Sequence, residues 1–125
     1  HHYGTVCGTW LPGSTTTLRL SRFVEKPSLD FARQHLSMPG LPEDTFLCVY
    51  GQYVLTADIF PILGEHIAKG NLQKGEIQLT PALEELRQQQ GMLGHVVEGE
   101  HYDTGQPFAY VESMAAYAFS GRKRA

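Results

Sequence analysis

The run from Phe46 to Leu55 is the feature that most restricts how this chain can fold. It is almost continuously apolar and is interrupted only by Gly51 and Gln52. A strand with one face in water alternates apolar and polar residues, whereas an unbroken apolar run is typical of a strand that is buried on both faces. Such burial requires helices on both sides of the sheet. The run therefore predicts an α/β fold.

Turn and capping residues divide the rest of the chain into strands and helices. Pro12, Gly13 and Ser14 separate two strand-like segments and predict a hairpin. Thr80 supplies a capping hydroxyl, and Pro81 suits the first position of a helix. We expect strands over 3–11, 16–25 and 93–98, and helices over 29–35, from a cap at Thr56 or Asp58 to Gly70, from Thr80 to Gly91, and from Pro107 onward.

Composition and charge exclude several classes of protein. The 125 residues, 42% hydrophobic and 18% charged, fit a single domain over 1–125. A net charge of −3 offers no basic surface for nucleic acid. Cys7 and Cys48 lie outside any metal-binding spacing, which favours buried thiols in a reducing compartment. The absence of a signal peptide and of an apolar run of about 18 residues predicts a cytoplasmic protein with no membrane partner.

Three motifs follow one another along the chain: Val24-Glu25-Lys26-Pro27, then Gly75-Glu76-Ile77-Gln78-Leu79-Thr80, then Tyr102-Asp103-Thr104-Gly105. Their order and approximate spacing resemble the distal half of the bacterial UTP–glucose-1-phosphate uridylyltransferases, in the sugar nucleotidyltransferase family. The resemblance runs from about Tyr3 to about Gly121. It implies part of a Rossmann-like nucleotide-diphospho-sugar transferase fold, with a mixed sheet flanked by helices. No segment resembles the Gly-rich, nucleotide-binding loop of the N-terminal half.

The resemblance assigns roles to residues of the first and third motifs. Lys26 would place its charge on the sugar phosphate and act in catalysis, and Glu25 would accept hydrogen bonds from sugar hydroxyls. Neighbouring strand residues point to opposite faces, so both can serve one site only if the chain bends near Pro27. Asp103 would supply a carboxylate to Mg²⁺, which takes only one or two from the protein. The alternatives are a solvated lysine at a strand end and an aspartate that stabilises a turn.

Three further residues are implied at the sugar site. Gly51 and Tyr53 resemble the Gly-x-Tyr strand of the family, where the glycine lets the backbone approach the sugar. A glycine inside a strand often marks such a close approach, so the physical argument agrees. Glu76 resembles the acidic residue that lies beside the sugar in the family. A solvated glutamate before a helix is the alternative interpretation.

The activity implied is the formation of UDP-glucose and pyrophosphate from UTP and glucose-1-phosphate, with Mg²⁺ as cofactor. The chain alone should be inactive, because it lacks backbone amides and cations for a triphosphate. One alternative is a non-catalytic module that binds sugar phosphates or a partner, and another is a related thymidylyl- or guanylyltransferase. The family commonly has aspartate at Pro81, a basic residue at Pro107, and a shorter segment than Ser28 to Thr45. These departures keep the alternatives open.

The last predicted helix carries two apolar stripes. Such a helix is either deeply buried or shared with a partner. A sheet separated from its other half should also expose edges and apolar faces. We therefore expect self-association, with a homo-oligomer as the partner state.

Overall fold

The computed structural model describes residues 3–49, 51–70 and 76–121. In chain order its elements are β1 (Thr5–Trp10), β2 (Thr17–Val24), α1 (Leu29–His35), β3 (Leu47–Cys48), α2 (Ile59–Ala68), α3 (Leu79–Gln90), β4 (Leu93–His95) and α4 (Pro107–Gly121). The α/β class predicted from the sequence is confirmed.

The strands form a four-stranded sheet in the order β3-β1-β2-β4. Each described pairing, β1 with β2, β1 with β3 and β2 with β4, is antiparallel, so the mixed sheet expected from the resemblance is not seen in this part of the chain. The predicted hairpin is confirmed. Its turn is closed by the N–H of Leu11 donating to the carbonyl of Thr17, and by the hydroxyl of Ser14 accepting from the N–H of Thr17 at 2.8 Å.

A bulge in the hairpin decides which side chains face the core. The register between β1 and β2 shifts after Cys7, so that Cys7 pairs with Arg22 and Gly8 pairs with Leu20. Ser21 is the extra residue on β2. The bulge lets Leu18, Leu20 and Phe23 be buried together, although their spacing changes from two to three.

Helices cover both faces of the hairpin. On one face, α3 packs against β2, and α2 packs against α3. Their buried residues include Ile59, Ile62, Leu83 and Leu86. On the other face, the thiol of buried Cys7 donates to the carbonyl of His35, at the end of α1, over 3.5 Å. The buried apolar side chains form one cluster.

The prediction of a long buried strand over Phe46 to Leu55 is wrong. Only Leu47 and Cys48 are paired in a strand, and Val54 is fully exposed. The N–H of Val49 still bonds to the carbonyl of Gly4, at 2.9 Å, and then Gly51 takes a φ of +83° that other residues rarely adopt. Apolar composition predicts burial only where a second strand is available to pair, and no described strand pairs with 51–55.

The ends of the helices agree with local chemistry more often than not. Helix α1 spans the predicted residues and is capped by Ser28, whose Oγ accepts from the N–H of Phe31 at 3.3 Å. Helix α4 begins at Pro107, and α3 ends before Gly91, as predicted. Strand β4 ends at His95 rather than at residue 98.

Two capping predictions are wrong. The residue before α3 is Gln78, and the hydroxyl of Thr80 does not cap the helix but bonds elsewhere. Neither Thr56 nor Asp58 caps α2, because both side chains bond to Gln90 on α3.

Helix α4 is not buried. Phe108 and Tyr117 are 76% and 79% exposed, and none of the other described helices or strands packs against it. Of the two outcomes predicted for a helix with two apolar sides, burial within this chain is therefore wrong. None of the described helices is long and apolar enough to span a membrane.

Candidate functional site

The first motif lies where β2 ends. Glu25 directly follows the strand, and Pro27 cannot donate to a sheet ladder. Lys26 adopts a left-handed backbone with a φ of +43°, which is uncommon for a residue with a side chain. The Nζ of Lys26 lies 3.7 Å from Oε1 of Glu25. The predicted bend is therefore present, and it brings the two side chains to the same side of the chain.

The carboxylate of Glu25 is held between two elements. The hydroxyl of Thr80, in the first turn of α3, donates to its Oε2 at 2.5 Å. The backbone of Gly4 closes another side, since a Cβ added there would lie 3.4 Å from the same oxygen. The side chain of Glu25 is 25% exposed, whereas that of Lys26 is 56% exposed. The cation is therefore the more accessible of the two groups.

Tyr53 lies beside this pair. Its ring is 6.4 Å from that of Phe23, centroid to centroid. Partial burial raises the pKa of Tyr53, and the nearby charge of Glu25 raises it further. Tyr53 therefore keeps its phenolic proton at neutral pH and can donate a hydrogen bond. The structure brings together Glu25, Lys26 and Tyr53 of the predicted set.

A group of contacts from α3 holds the end of β2 in place. One oxygen of Glu84, Oε2, accepts from the N–H of Phe23 at 3.0 Å, and Arg87 makes two bonds to the Glu84 carboxylate, at 2.7 and 2.8 Å. Burial disfavours the ionised form of Glu84, but the hydrogen bonds from Arg87 and Gln88 outweigh it and lower the pKa. This carboxylate therefore stays ionised and fixes the strand end against the helix.

A wide cleft of about 1420 Å³ opens beside the sheet. Its lining includes Leu18, Leu20 and Phe23 of β2, and Gly51 and Tyr53 from the segment after β3. Residues 91–102 form a further part of the lining. Gly51 and Tyr53 thus face a space that is large enough for a sugar nucleotide.

Glu76 and Asp103 stand apart from the cluster in the contacts that the structure records. Exposed Glu76 accepts from Nε2 of Gln78 at 3.4 Å, and Gly75 of the same motif lies outside the described residues. Asp103 accepts from the N–H of Gly105 at 3.1 Å, which is the turn contact proposed as its alternative role. Over 3–49, 51–70 and 76–121, no three potential ligands gather into a metal site.

Comparison with known proteins decides what this arrangement is related to. The chain is 33% identical over 119 residues to a UTP–glucose-1-phosphate uridylyltransferase of Staphylococcus epidermidis, a match of 94% of this chain and 35% of that protein. It is 34% identical over 99 residues to UTP–glucose-1-phosphate uridylyltransferase 2 of Staphylococcus saprophyticus, across 79% of this chain and 29% of the relative. The chain is homologous to one part of these uridylyltransferases. The resemblance predicted from the three motifs is confirmed.

Solved structures agree with this homology. A UDP-glucose pyrophosphorylase complexed with UDP-glucose is 30% identical, with a TM-score of 0.68, and the match covers 95% of this chain and 39% of that one. An unliganded UDP-glucose pyrophosphorylase gives a TM-score of 0.72 at 30% identity, across 99% of this chain and 38% of that one. No protein-family model matches the sequence. The chain spans about a third of the length of the uridylyltransferases that it matches.

The two prolines that depart from the family pattern have structural positions that tolerate them. Pro107 is the first residue of α4, and Pro81 is the third residue of α3. The N–H groups of a first helical turn have no partner within the helix, so a proline there removes no helical hydrogen bond. Both departures are compatible with the uridylyltransferase fold.

Thr80 is the member of the site that sequence reasoning missed. It belongs to the third motif, but its place before a proline suggested a helix cap rather than a contact with Glu25. The available signal was the shared resemblance of both motifs to one family, since residues of two motifs that form one site should lie near each other.

Proposed function

We propose that this chain forms the sugar-phosphate-binding part of a UTP–glucose-1-phosphate uridylyltransferase. The observation that carries the proposal is the left-handed bend at Lys26, which sets an exposed cation and a carboxylate side by side. A sugar phosphate presents the complementary pair, an anion next to hydroxyl groups. A bend of this kind costs about 1 kcal/mol or more, so its presence in a loop favours a functional reason.

In the proposed reaction, an oxygen of glucose-1-phosphate attacks the α-phosphorus of UTP. One oxygen–phosphorus bond forms, the bond from the α-phosphorus to the bridging oxygen breaks, and pyrophosphate leaves with that oxygen. Lys26 would hold the sugar phosphate in line and offset its charge, because two polyanions must approach each other. Glu25 would accept hydrogen bonds from sugar hydroxyls, and Tyr53 would donate one across the cleft.

Asp103 would hold Mg²⁺ in the complete protein. One of its oxygens bonds to the N–H of Gly105, and the other has no hydrogen bond within the described residues. A single protein carboxylate with a free oxygen fits Mg²⁺, which takes its remaining ligands from phosphates and water. The ion, when bound, neutralises charge on the phosphates. Gly51 would let the sugar approach the backbone, and Glu76 would lie beside it.

The proposed function is tested by pyrophosphate release from UTP and glucose-1-phosphate, with Mg²⁺, by the complete protein that contains this chain. We expect Lys26→Ala to lower kcat/KM by at least about a hundredfold, because it removes a charge that balances the phosphates. Lys69→Ala is the matched control, since Lys69 is similarly exposed and pairs only with Glu65 in the described structure. Its activity should equal that of the unchanged protein.

The other outcomes of this experiment separate the alternatives. Binding of glucose-1-phosphate without turnover would favour a non-catalytic binding module. Turnover with another nucleoside triphosphate in place of UTP would indicate a thymidylyl- or guanylyltransferase. Equal activity of Lys26→Ala and Lys69→Ala would contradict the role of Lys26. The proposal also includes a cytoplasmic location and a homo-oligomeric state.

A further inference from the structure

We propose that Thr80 positions Glu25 for the sugar, which makes it a positioning residue that links the third motif to the first. The inference rests on the proposed function and names a residue that acts through Glu25 rather than on the substrate itself. Its basis is one hydrogen bond, from the hydroxyl of Thr80 to Oε2 of Glu25 at 2.5 Å, between residues 55 positions apart.

The two oxygens of Glu25 have different surroundings. Oε2 accepts from Thr80, whereas Oε1 lies 3.7 Å from the Nζ of Lys26, which is longer than a hydrogen bond. The first oxygen is therefore anchored, and the second is left to accept from a ligand. A carboxylate can accept several hydrogen bonds, so anchoring one oxygen does not prevent the other from binding a sugar hydroxyl.

The hydroxyl of Thr80 is not needed by its own helix. No side chain caps the start of α3, and Thr80 is already the second helical residue. A hydroxyl in a helix usually bonds back to a backbone carbonyl or to solvent. Here it is directed to a charged group on another element, where the hydrogen bond is stronger than one between neutral groups.

The anchor stands on a rigid frame. Glu84 and Arg87, one turn further along α3, bind the backbone of β2 at Phe23 and Leu20. The distance between Thr80 and the end of β2 is therefore set by contacts that do not involve Glu25. Such an arrangement can hold a side chain to within a few tenths of an ångström of a productive position.

Loss of the anchor has a specific consequence. Without a donor at Thr80, the carboxylate of Glu25 is free to rotate toward Lys26 and form a closer ion pair. That pair would withdraw the carboxylate from the sugar and part of the lysine charge from the phosphate. Binding of glucose-1-phosphate should weaken, whereas binding of UTP, which does not depend on Glu25, should not.

The test compares Thr80→Val, Thr80→Ser and Thr9→Val in the complete protein. Valine keeps the shape of threonine and removes the donor, serine keeps the donor, and Thr9 is an exposed residue of β1 that serves as the control. We expect Thr80→Val to raise the KM for glucose-1-phosphate by about tenfold, as the loss of a hydrogen bond to a charged group implies. The KM for UTP should not change, and Thr80→Ser should restore most of the binding.

The inference is overturned if Thr80→Val leaves the KM for glucose-1-phosphate unchanged, or if Thr80→Ser is as impaired as Thr80→Val. An equal rise in both KM values, together with a lower Tm, would also overturn it, since that result indicates a purely structural role. A normal enzyme with an unaffected Thr80→Val variant would leave the proposed function intact. An unchanged protein that neither turns over nor binds glucose-1-phosphate in calorimetry would overturn both.

Discussion

Two residues near the site show how much one position can depend on its backbone. Lys26 carries a side chain in a left-handed conformation, which costs free energy that the surrounding structure must offset. Gly8 meets the opposite constraint, because at the bulge the backbone of β2 passes so closely that a Cβ would lie 2.0 Å from the carbonyl oxygen of Arg19. A side chain is retained at one position against its conformational preference and excluded at the other by contact.

The close approach at Gly8 makes a prediction about stability. Gly8→Ala should lower the free energy of unfolding by about 3 kcal/mol, because backbone atoms of both strands must move to admit the methyl group. Gly64→Ala is the matched control, since Gly64 lies within α2 with no atom near its Cβ position. That change should raise stability by about 0.5 kcal/mol, through helix propensity alone. Thermal unfolding followed by circular dichroism measures both, and equal effects would contradict the account of the bulge.

At the scale of elements, α3 is the part that organises the site. It holds β2 through Glu84 and Arg87, anchors Glu25 through Thr80, and contacts α2 through Glu85, whose Oε2 lies 3.0 Å from Nε2 of His66. Most of these contacts use charged groups that are only partly exposed. The position of the first motif should therefore depend on the ionisation of the carboxylates on this helix.

The pH dependence of the contact between α3 and β2 follows from Glu84. Its pKa is lower in the folded protein than its ordinary value of 4.5. A group with a depressed pKa stabilises the fold above that ordinary value and ceases to do so as the pH falls through the folded value. Glu84→Gln should therefore be less stable than the unchanged protein at pH 7, and the difference should shrink progressively below pH 4.5.

Urea denaturation from pH 7 to pH 3 measures this difference. Glu65→Gln is the control, because Glu65 pairs with Lys69 on the exposed side of α2, where salt bridges contribute little. A difference between Glu84→Gln and the unchanged protein that stays constant across this range would show that the carboxylate stabilises the contact in some other way.

At the scale of the whole molecule, apolar surface is unevenly distributed. The core beneath α3 is closed, whereas α4 presents Phe108, Tyr110, Met114 and Tyr117 to solvent, each more than half exposed. A soluble protein rarely leaves so much adjoining apolar surface uncovered. Further polypeptide or a second copy of the chain is expected to cover it, in keeping with the fraction of the uridylyltransferases that this chain spans.

The exposed helix predicts self-association of the chain when it is expressed by itself. Light scattering at increasing concentration should show a mass above that of one copy, and replacing Phe108 and Tyr117 by serine should lower it. Phe60→Ser is the control, because Phe60 is similarly exposed but lies on α2. A single-copy mass at all concentrations would contradict the prediction.

Local chemistry alone was sufficient to predict several boundaries. Ser28 begins α1, Pro107 begins α4, and Gly91 follows the end of α3, because capping and proline preferences act within one turn of the chain. The hairpin was predictable for the same reason, since its turn residues and its strands are adjacent in sequence. The motifs around Glu25 and Lys26 were found without any fold, through resemblance to a family.

Contacts between distant residues could not be predicted in this way. The apolar run at 46–55 has the composition of a buried strand, but whether it pairs depends on which other strand is beside it. The bulge at Ser21 depends on the register with β1, and the partner of Thr80 lies 55 positions away. The sequence by itself determined the helices, the hairpin and the family resemblance, because these follow from short-range preferences and motifs. Only the tertiary structure decided which oxygen of Glu25 is anchored and which apolar segments are covered, because both depend on the relative placement of elements that are far apart in the chain.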